Sequence, residues 1–232
     1  MTPEPEQYPL PLPQDWPALD RAAFLVGTGN AEALAWIDRW PDWPAPAVVL
    51  QGPEGSGKSH LAGLWRARAQ AGSIEGAALG PAAVPGLIDA DQPLLVETAD
   101  AAPELPLLHL YNGLVERGRT LLLTARLPPA RWGIALPDLR SRLSALPVAE
   151  LRPPGDDLVR AVLAKRFADR QLAVADDVVD YLAKRIERSF AAINRIVAAL
   201  DAASLAAHRK IALPLAQRVL KDLQPGTEEP NG

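Results

Sequence analysis

AVVLQGPEGSGKSHLAGLWRARAQAG, residues 47–72, is the stretch on which the fold turns. Ala47 to Gln51 form an apolar run too short for a helix and suited to a buried strand. GPEGSGKS, Gly52 to Ser59, follows at once and satisfies the pattern G-x-x-x-x-G-K-[ST]. HLAGLWRARAQAG then reads as a helix with Gly72 as its C-terminal cap. The spacing has a physical reason. Gly52, Gly55 and Gly57, with Ser56 between them, let backbone N–H groups wrap phosphate oxygens with no Cβ in the way. The positive end of the helix points at the same anion. Lys58 is placed to reach the β- and γ-phosphates, and Ser59 offers a hydroxyl to Mg²⁺. ATP or ADP, with Mg, is the expected ligand.

Outward from this stretch, short apolar runs alternate with helical patterns. PLLVE (93–97) and TLLLTA (120–125) read as strands, ELPLLHLYNGLVER (104–117) as the helix between them, and Gly76–Leu79 as a weaker strand. Before them, Asn30 caps a helix AEALAWIDRW that Pro41 stops. Strands alternating with helices predict an α/β fold, a parallel sheet flanked by helices. After Pro153-Pro154-Gly155 the texture changes: 156–170, 176–187, 189–209 and 213–223 all carry period-3.6 apolar spacing and no strand. Asp176 and Asp177 suit a helix start, and Pro214 a first turn. The expected organisation is a Pro-rich extended tail over 1–18, a nucleotide-binding α/β domain over 19–152, a small all-α domain over 153–223 and a disordered tail over 224–232.

Composition narrows the function further. The chain has 232 residues, 48% of them apolar, and a net charge of −4. Segment 117–152 nevertheless holds seven arginines against Asp138 and Glu150, a basic face on a near-neutral body. Cysteine is absent, which removes disulfides, thiolate zinc sites and thiol catalysis. His60, His109 and His208 are too scattered for a metal cage. No apolar run approaches the ~18 residues of a membrane span, and MTPEPEQYPL is no signal peptide, so the expected location is cytoplasmic. A phosphate-binding loop also needs an acidic strand end to serve the metal, and in PLLVETAD that is Glu97. Thr98, next to it, is a poor base, and Asp100 lies two residues beyond Thr98, so binding is better supported than self-sufficient hydrolysis.

Several pieces together resemble one family, the Hda group of DnaA-related AAA+ proteins. Phe24-Leu-Val-Gly-Thr-Gly-Asn30 is similar to the element that touches adenine and ribose in DnaA-type modules, which implies nucleotide contacts for Phe24, Val26 and Asn30. GPEGSGKSH resembles that family's loop down to His60. TLLLTARLPP (120–129) is similar to its sensor-1 strand, LPDLRSRL (136–143) to its arginine-finger box, and RSFAAINRIVAALDAASL (188–205) to its sensor-2 helix. The likeness runs over about 19–223, with no helix-turn-helix domain after it, as expected of a regulator rather than an initiator. In the tail, Gln7-Tyr-Pro-Leu10-Pro-Leu12 resembles the sliding-clamp peptide, with Leu10 and Leu12 to fill an apolar pocket and Gln7 to bond its rim.

The departures also carry information. Ala125-Arg126 replaces the expected sensor-1 stretch after Thr124, and Ala191 stands where the sensor-2 arginine belongs, with Arg188 and Arg195 one turn to either side. The resemblance therefore implies a protein that holds nucleotide, most simply ADP, with weak or absent hydrolysis of its own. Arg142 keeps its neighbours Pro137, Asp138, Leu139, Ser141 and Leu143, so the arginine-finger role transfers to it, whereas Arg140 reads as a surface residue. The implied function is stimulation of ATP hydrolysis by DnaA, in company with the DNA-loaded sliding clamp. The alternatives are a self-acting P-loop ATPase and a replication-initiation loader. Self-association is compatible with the finger, direct DNA contact is expected to be weak, and no membrane is involved.

Overall fold

The structure, a computed structural model, describes residue 21, residues 24–207 and residues 209–223. Among these residues the chain forms α1 (Ala31–Arg39), β1 (Ala47–Gln51), α2 (Lys58–Ala69), β2 (Gly72–Glu75), α3 (Val84–Asp89), β3 (Leu94–Glu97), α4 (Glu104–Glu116), β4 (Leu121–Ala125), α5 (Pro137–Ser144), β5 (Val148–Glu150), α6 (Asp156–Asp169), α7 (Asp176–Ala183), α8 (Phe190–Ala207) and α9 (Leu213–Leu223). The five strands lie in the order β2-β3-β4-β1-β5, and every pairing is parallel. Gln7, Leu10 and Leu12 lie outside the described residues.

Two expectations need correction. Gly72 does not cap α2: Gln70 does so, in the left-handed conformation at φ 49°, and Gly72 opens β2. The weak strand expected at Gly76–Leu79 belongs four residues earlier, and Gly76–Ala78 is a 3₁₀ turn. The edge position of β2 explains the miss. Its residues alternate between half-buried and exposed, so the apolar run that marks the inner strands is absent.

Each inner strand feeds both faces of the sheet, as strand geometry requires. On one face Val48, Leu50, Leu95 and Leu122 pack with Leu34, Ile37, Leu61 and Trp65 of α1 and α2. On the other, Val49, Leu94, Val96, Leu121 and Leu123 meet Leu107, Leu110 and Leu114 of α4 and Leu139 and Leu143 of α5. Burying one such leucine contributes about 1.5–3 kcal/mol, so these layers dominate the stability of the sheet. Trp65 is fully buried, stacked on Trp43 at 5.6 Å and met edge-on by Trp40 at 6.3 Å.

A third cluster belongs to α6–α9, with Leu163, Phe167, Leu182, Ile193, Val197 and Leu220 at its centre. Leu25, from the segment before α1, packs against it. The Arg152 N–H donates to the Gly29 carbonyl at 2.9 Å, and a Cβ on Gly29 would meet the Pro153 carbonyl at 2.9 Å. The 24–30 segment is thus held where the sheet hands over to the helical bundle.

Candidate functional site

The carboxyl ends of β1, β3 and β4 open onto a cleft of about 350 Å³, within the size range of small-molecule sites. Its floor is the loop from β1 to α2, and its far wall is the start of α8. The loop takes its shape from two left-handed residues, Gly55 at φ 73° and Gly57 at φ 97°, a region costly for residues with a Cβ. It is clasped from above: the Phe190 N–H donates to the Gly55 carbonyl at 2.8 Å, and the Phe190 ring covers Gly57. Ser189, almost fully buried, accepts the Ala192 N–H on its hydroxyl at 3.1 Å and so caps α8 against the loop.

Lys58 reaches back over this floor. Its ammonium donates to the Gly52 and Pro53 carbonyls at 2.7 and 2.8 Å. Burial lowers its pKa below the usual lysine value; the Arg126 charge adds to that, and Asp100 and Glu54 oppose it. The Ser56 hydroxyl oxygen is buried without a hydrogen-bond partner. A loop built on left-handed glycines, with an ammonium bonded to its own carbonyls beside the cleft, fits a phosphate chain. Ser59 also lines the cleft and is placed to serve a metal carried by such phosphates.

The 24–30 segment flanks the same helix end. The Phe24 ring packs edge-on against His60 at 5.3 Å, and His60 lines the cleft. Burial, with the charge of Arg166, lowers the His60 pKa, so the imidazole is neutral at pH 7. Val26 is 54% exposed, an apolar side chain left at the surface of this segment. Asn30 is buried, and its amide is spent on the segment itself: Oδ1 accepts the Gly27 N–H at 2.8 Å and Nδ2 donates to the Leu25 carbonyl at 3.0 Å. Its role in the structure is to shape the turn that carries Phe24 and Val26, not to face the cleft.

The acidic side differs from expectation. Glu97 is not among the residues that line the cleft. Its pKa is raised by burial and by Glu75, its register partner on β2, with Arg66 acting against them. Thr98 follows in the left-handed conformation at φ 51°, and the negative charge of Asp100, two residues on, favours the charged form of Lys58 against the effect of burial. Asp100 accepts the Arg126 N–H on Oδ2 at 3.2 Å, and its Oδ1 is buried without a hydrogen-bond partner. The carboxylate that lines the cleft is Glu54 of the loop, neither Glu97 nor Asp100 is among the lining residues, and the expectation for Glu97 as the metal-facing acid is not met in this arrangement. Thr124, also in the cleft wall, accepts the Thr98 N–H at 3.0 Å and ties β3 to β4.

On α8, Ala191 and Asn194 line the cleft. Arg188 instead pairs with Asp156 at 2.6 Å and Arg195 with Glu187 at 3.5 Å, so neither supplies the missing sensor-2 charge here. Arg142 lies away from the cleft on α5. Its side chain is 41% exposed, and its guanidinium pairs with Asp138 one turn back at 3.0 Å and sits 6.0 Å from the centre of the Tyr111 ring. Among the described residues no helix is long and apolar enough to cross a membrane, and no cluster of His, Asp and Glu could hold a metal alone.

Comparison with known proteins agrees with this geometry. Residues 156–220 match the family described as the lid domain of Hda. Domain III of the replication initiation protein DnaA from Thermotoga maritima superposes with a TM-score of 0.76 at 18% identity, over 88% of this chain and 95% of that one. The RuvB Holliday junction branch migration motor of Thermotoga maritima gives 0.71 at 16% identity, over 85% and 70%. A replication initiator DnaA bound to AMPPCP and single-stranded DNA gives 0.64 at 16%, over 80% and 66%. At such identities the shared property is the AAA+ fold, a parallel P-loop sheet followed by a helical lid.

Proposed function

We propose that this chain, an Hda-like, DnaA-related AAA+ protein, binds an adenine nucleotide in the β1–α2 cleft and presents Arg142 to ATP held by DnaA. The observation that carries the reading is an Hda-type lid set directly on a phosphate cradle, with Phe190 of α8 bonded to Gly55. Backbone N–H groups of Gly55 to Lys58 would hold the β-phosphate, with the Lys58 ammonium exchanging its two loop carbonyls for phosphate oxygens. Phe24, Val26 and His60 flank the place left for the nucleoside. Mg²⁺ bound to the phosphates neutralises part of their charge, and Ser59 is the hydroxyl this chain offers it. ADP is the simpler occupant, because the lid presents Ala191 in place of a cation.

Arg142 suits action on a partner. It is exposed, lies outside its own cleft, and is steadied by Asp138 and Tyr111 rather than buried. On docking, the guanidinium would exchange a carboxylate for the terminal phosphate of the partner's ATP, where a planar two-pronged donor stabilises the charge that develops on transfer. The Gln7–Leu12 segment would bring the protein to the DNA-loaded clamp. This reading makes the protein a restraint on replication initiation, with no requirement for hydrolysis of its own nucleotide.

The test is turnover of DnaA-bound ATP in the presence of clamp and DNA. Arg142→Ala should abolish the stimulation while folding and ADP binding stay intact, Arg142→Lys should fail nearly as badly, and Arg140→Ala should be mild. Fingers of this kind are worth about 10³–10⁵ in rate in GTPases, so the loss should be unmistakable. Full stimulation by Arg142→Ala would reject the trans mechanism. Turnover by the isolated chain at the same rate would favour a self-acting ATPase.

A further inference from the structure

Two helices meet behind Arg142, and one carboxylate joins them. Glu104 opens α4, and its side chain reaches the chain just ahead of α5: Oε1 accepts the Ala135 N–H at 2.9 Å and Oε2 the Leu136 N–H at 2.7 Å. Those two bonds hold its pKa below the usual glutamate value, so the carboxylate is ionised at neutral pH. Its charge lies in the first turn of α4 and at the N-terminal entry of α5, where both helix dipoles favour an anion. The bond to Ala135 joins residues 31 apart, so it fixes one helix against the other rather than either alone.

Of the two helices, α4 is the fixed one, buried against β3 and β4 through Leu107, Leu110 and Leu114. By contrast, α5 has only eight residues, and its buried side chains are Leu139 and Leu143, one turn apart. Two contacts in one line make a hinge about which a short helix can roll. The stops against rolling both come from α4: Glu104 at the entry of α5, and the Tyr111 ring beside the Arg142 guanidinium near its exit. Their spacing matches. Glu104 and Tyr111 are seven residues apart, two turns along one side of α4 and about 10 Å; Leu136 and Arg142 are six apart, about 9 Å along α5. A guanidinium stands about 6 Å from its helix axis, so a roll of about 10° moves it by about 1 Å. A misplacement of about 1 Å can cost about a hundredfold in rate where orientation governs transfer.

We propose that Glu104 is the positioning residue of Arg142: it locks the roll of α5 against α4, with Tyr111 as the second stop, and so fixes where the guanidinium points when a partner's nucleotide arrives. This rests on the reading of Arg142 as an arginine finger that acts in trans. Glu104 acts through Arg142 alone. It therefore governs the rate reached in the docked complex rather than the strength of docking, and its loss has nothing left to act on once Arg142 is gone.

The experiment is single-turnover hydrolysis of DnaA-bound ATP, with clamp and DNA present and the full-length chain titrated. Glu104→Gln keeps the shape of the side chain but removes its charge and sets an amide NH₂ against one of the two backbone N–H groups. It should lower the saturating rate by about tenfold or more, while the half-saturating concentration and ADP affinity change by less than about threefold. Glu104→Asp, which keeps the charge, should recover part of the rate. In the Arg142→Ala background, Glu104→Gln should cause no further loss. A full rate with Glu104→Gln, a loss that appears only as weaker half-saturation, or a further drop in the Arg142→Ala background overturns the proposal. Should Glu104→Gln melt without cooperativity, the same test is read from Glu104→Asp: a rate below wild type at unchanged half-saturation supports the proposal, and a wild-type rate overturns it. If Arg142→Ala stimulates normally, the finger reading itself fails and takes this one with it. If Arg142→Ala is inactive and Glu104→Gln is fully active, only the role of Glu104 is lost.

Discussion

Gly55→Ala should be the most informative single perturbation of this fold, because two independent penalties meet at one atom. The first is conformational: at φ 73° a Cβ presses on its own backbone, at roughly 1–2 kcal/mol. The second is tertiary: that Cβ would stand 2.6 Å from the Ser189 Cβ, about 1 Å inside normal carbon–carbon contact. Overpacking of this kind costs roughly 1–3 kcal/mol, so the sum is about 2–5 kcal/mol. Ser189→Gly removes the colliding atom and loses only a few tenths as a cap. In the double variant the tertiary penalty should vanish and the conformational one remain, a coupling of about 1–3 kcal/mol between loop and lid. Urea unfolding of the four proteins measures it. Additivity within about 0.5 kcal/mol would refute the claim that the lid is seated on the loop.

Three further outcomes are expected. Lys58→Ala should weaken ADP by about a hundredfold, the loss of charge-assisted bonds to phosphate, and undiminished affinity by calorimetry would remove the cradle assignment. Replacing Gln7, Leu10 and Leu12 by Ala should eliminate binding to the sliding clamp in surface plasmon resonance without altering ADP affinity; retained clamp affinity would make the segment a linker. Glu97 has a pKa raised above its usual 4.5, so the folded state holds its proton longer than the unfolded one. Its contribution to stability therefore falls as pH rises from about 4.5 through the raised value. Glu97→Gln should be more stable than wild type at pH 7 and indistinguishable from it below the normal carboxylate range. A gap that persists at low pH in thermal melts would contradict this.

The inner strands were legible because parallel strands covered on both faces are continuous apolar runs, and β1, β3 and β4 lie where AVVLQ, PLLVE and TLLLTA place them. β5 was missed for the opposite reason: three residues, of which only Ala149 is buried, leave no pattern. α3 was missed because Pro85 and Gly86 sit inside a six-residue helix and speak for a turn. At the site, the loop glycines and Lys58 could be read from spacing, since one local segment builds them. The bond from the Arg126 N–H to Asp100 could not, because it joins residues 26 apart across the ends of β3 and β4. Nor could the nearness of Arg126 to Glu54, 72 residues apart, which exists only because β4 pairs with β1. Strand order is a property of the whole sheet, and no local stretch encodes it.

The indole cluster around Trp65 has an optical consequence. Trp36, Trp40 and Trp43 pack with Trp65 on one face of the sheet, and Trp132 packs on the other face. The sequence from 153 to 223 contains no tryptophan at all. Apart from Trp16, outside the described residues, every indole of the chain packs on the sheet, so tryptophan emission reports chiefly on the sheet, whereas far-UV ellipticity draws heavily on α6–α9. A lid that parts from the loop and melts on its own would lower ellipticity while the emission spectrum stayed in place. The separation between the two melting curves is a direct, label-free gauge of how firmly Ser189 and Phe190 bind the halves of the molecule into one cooperative unit.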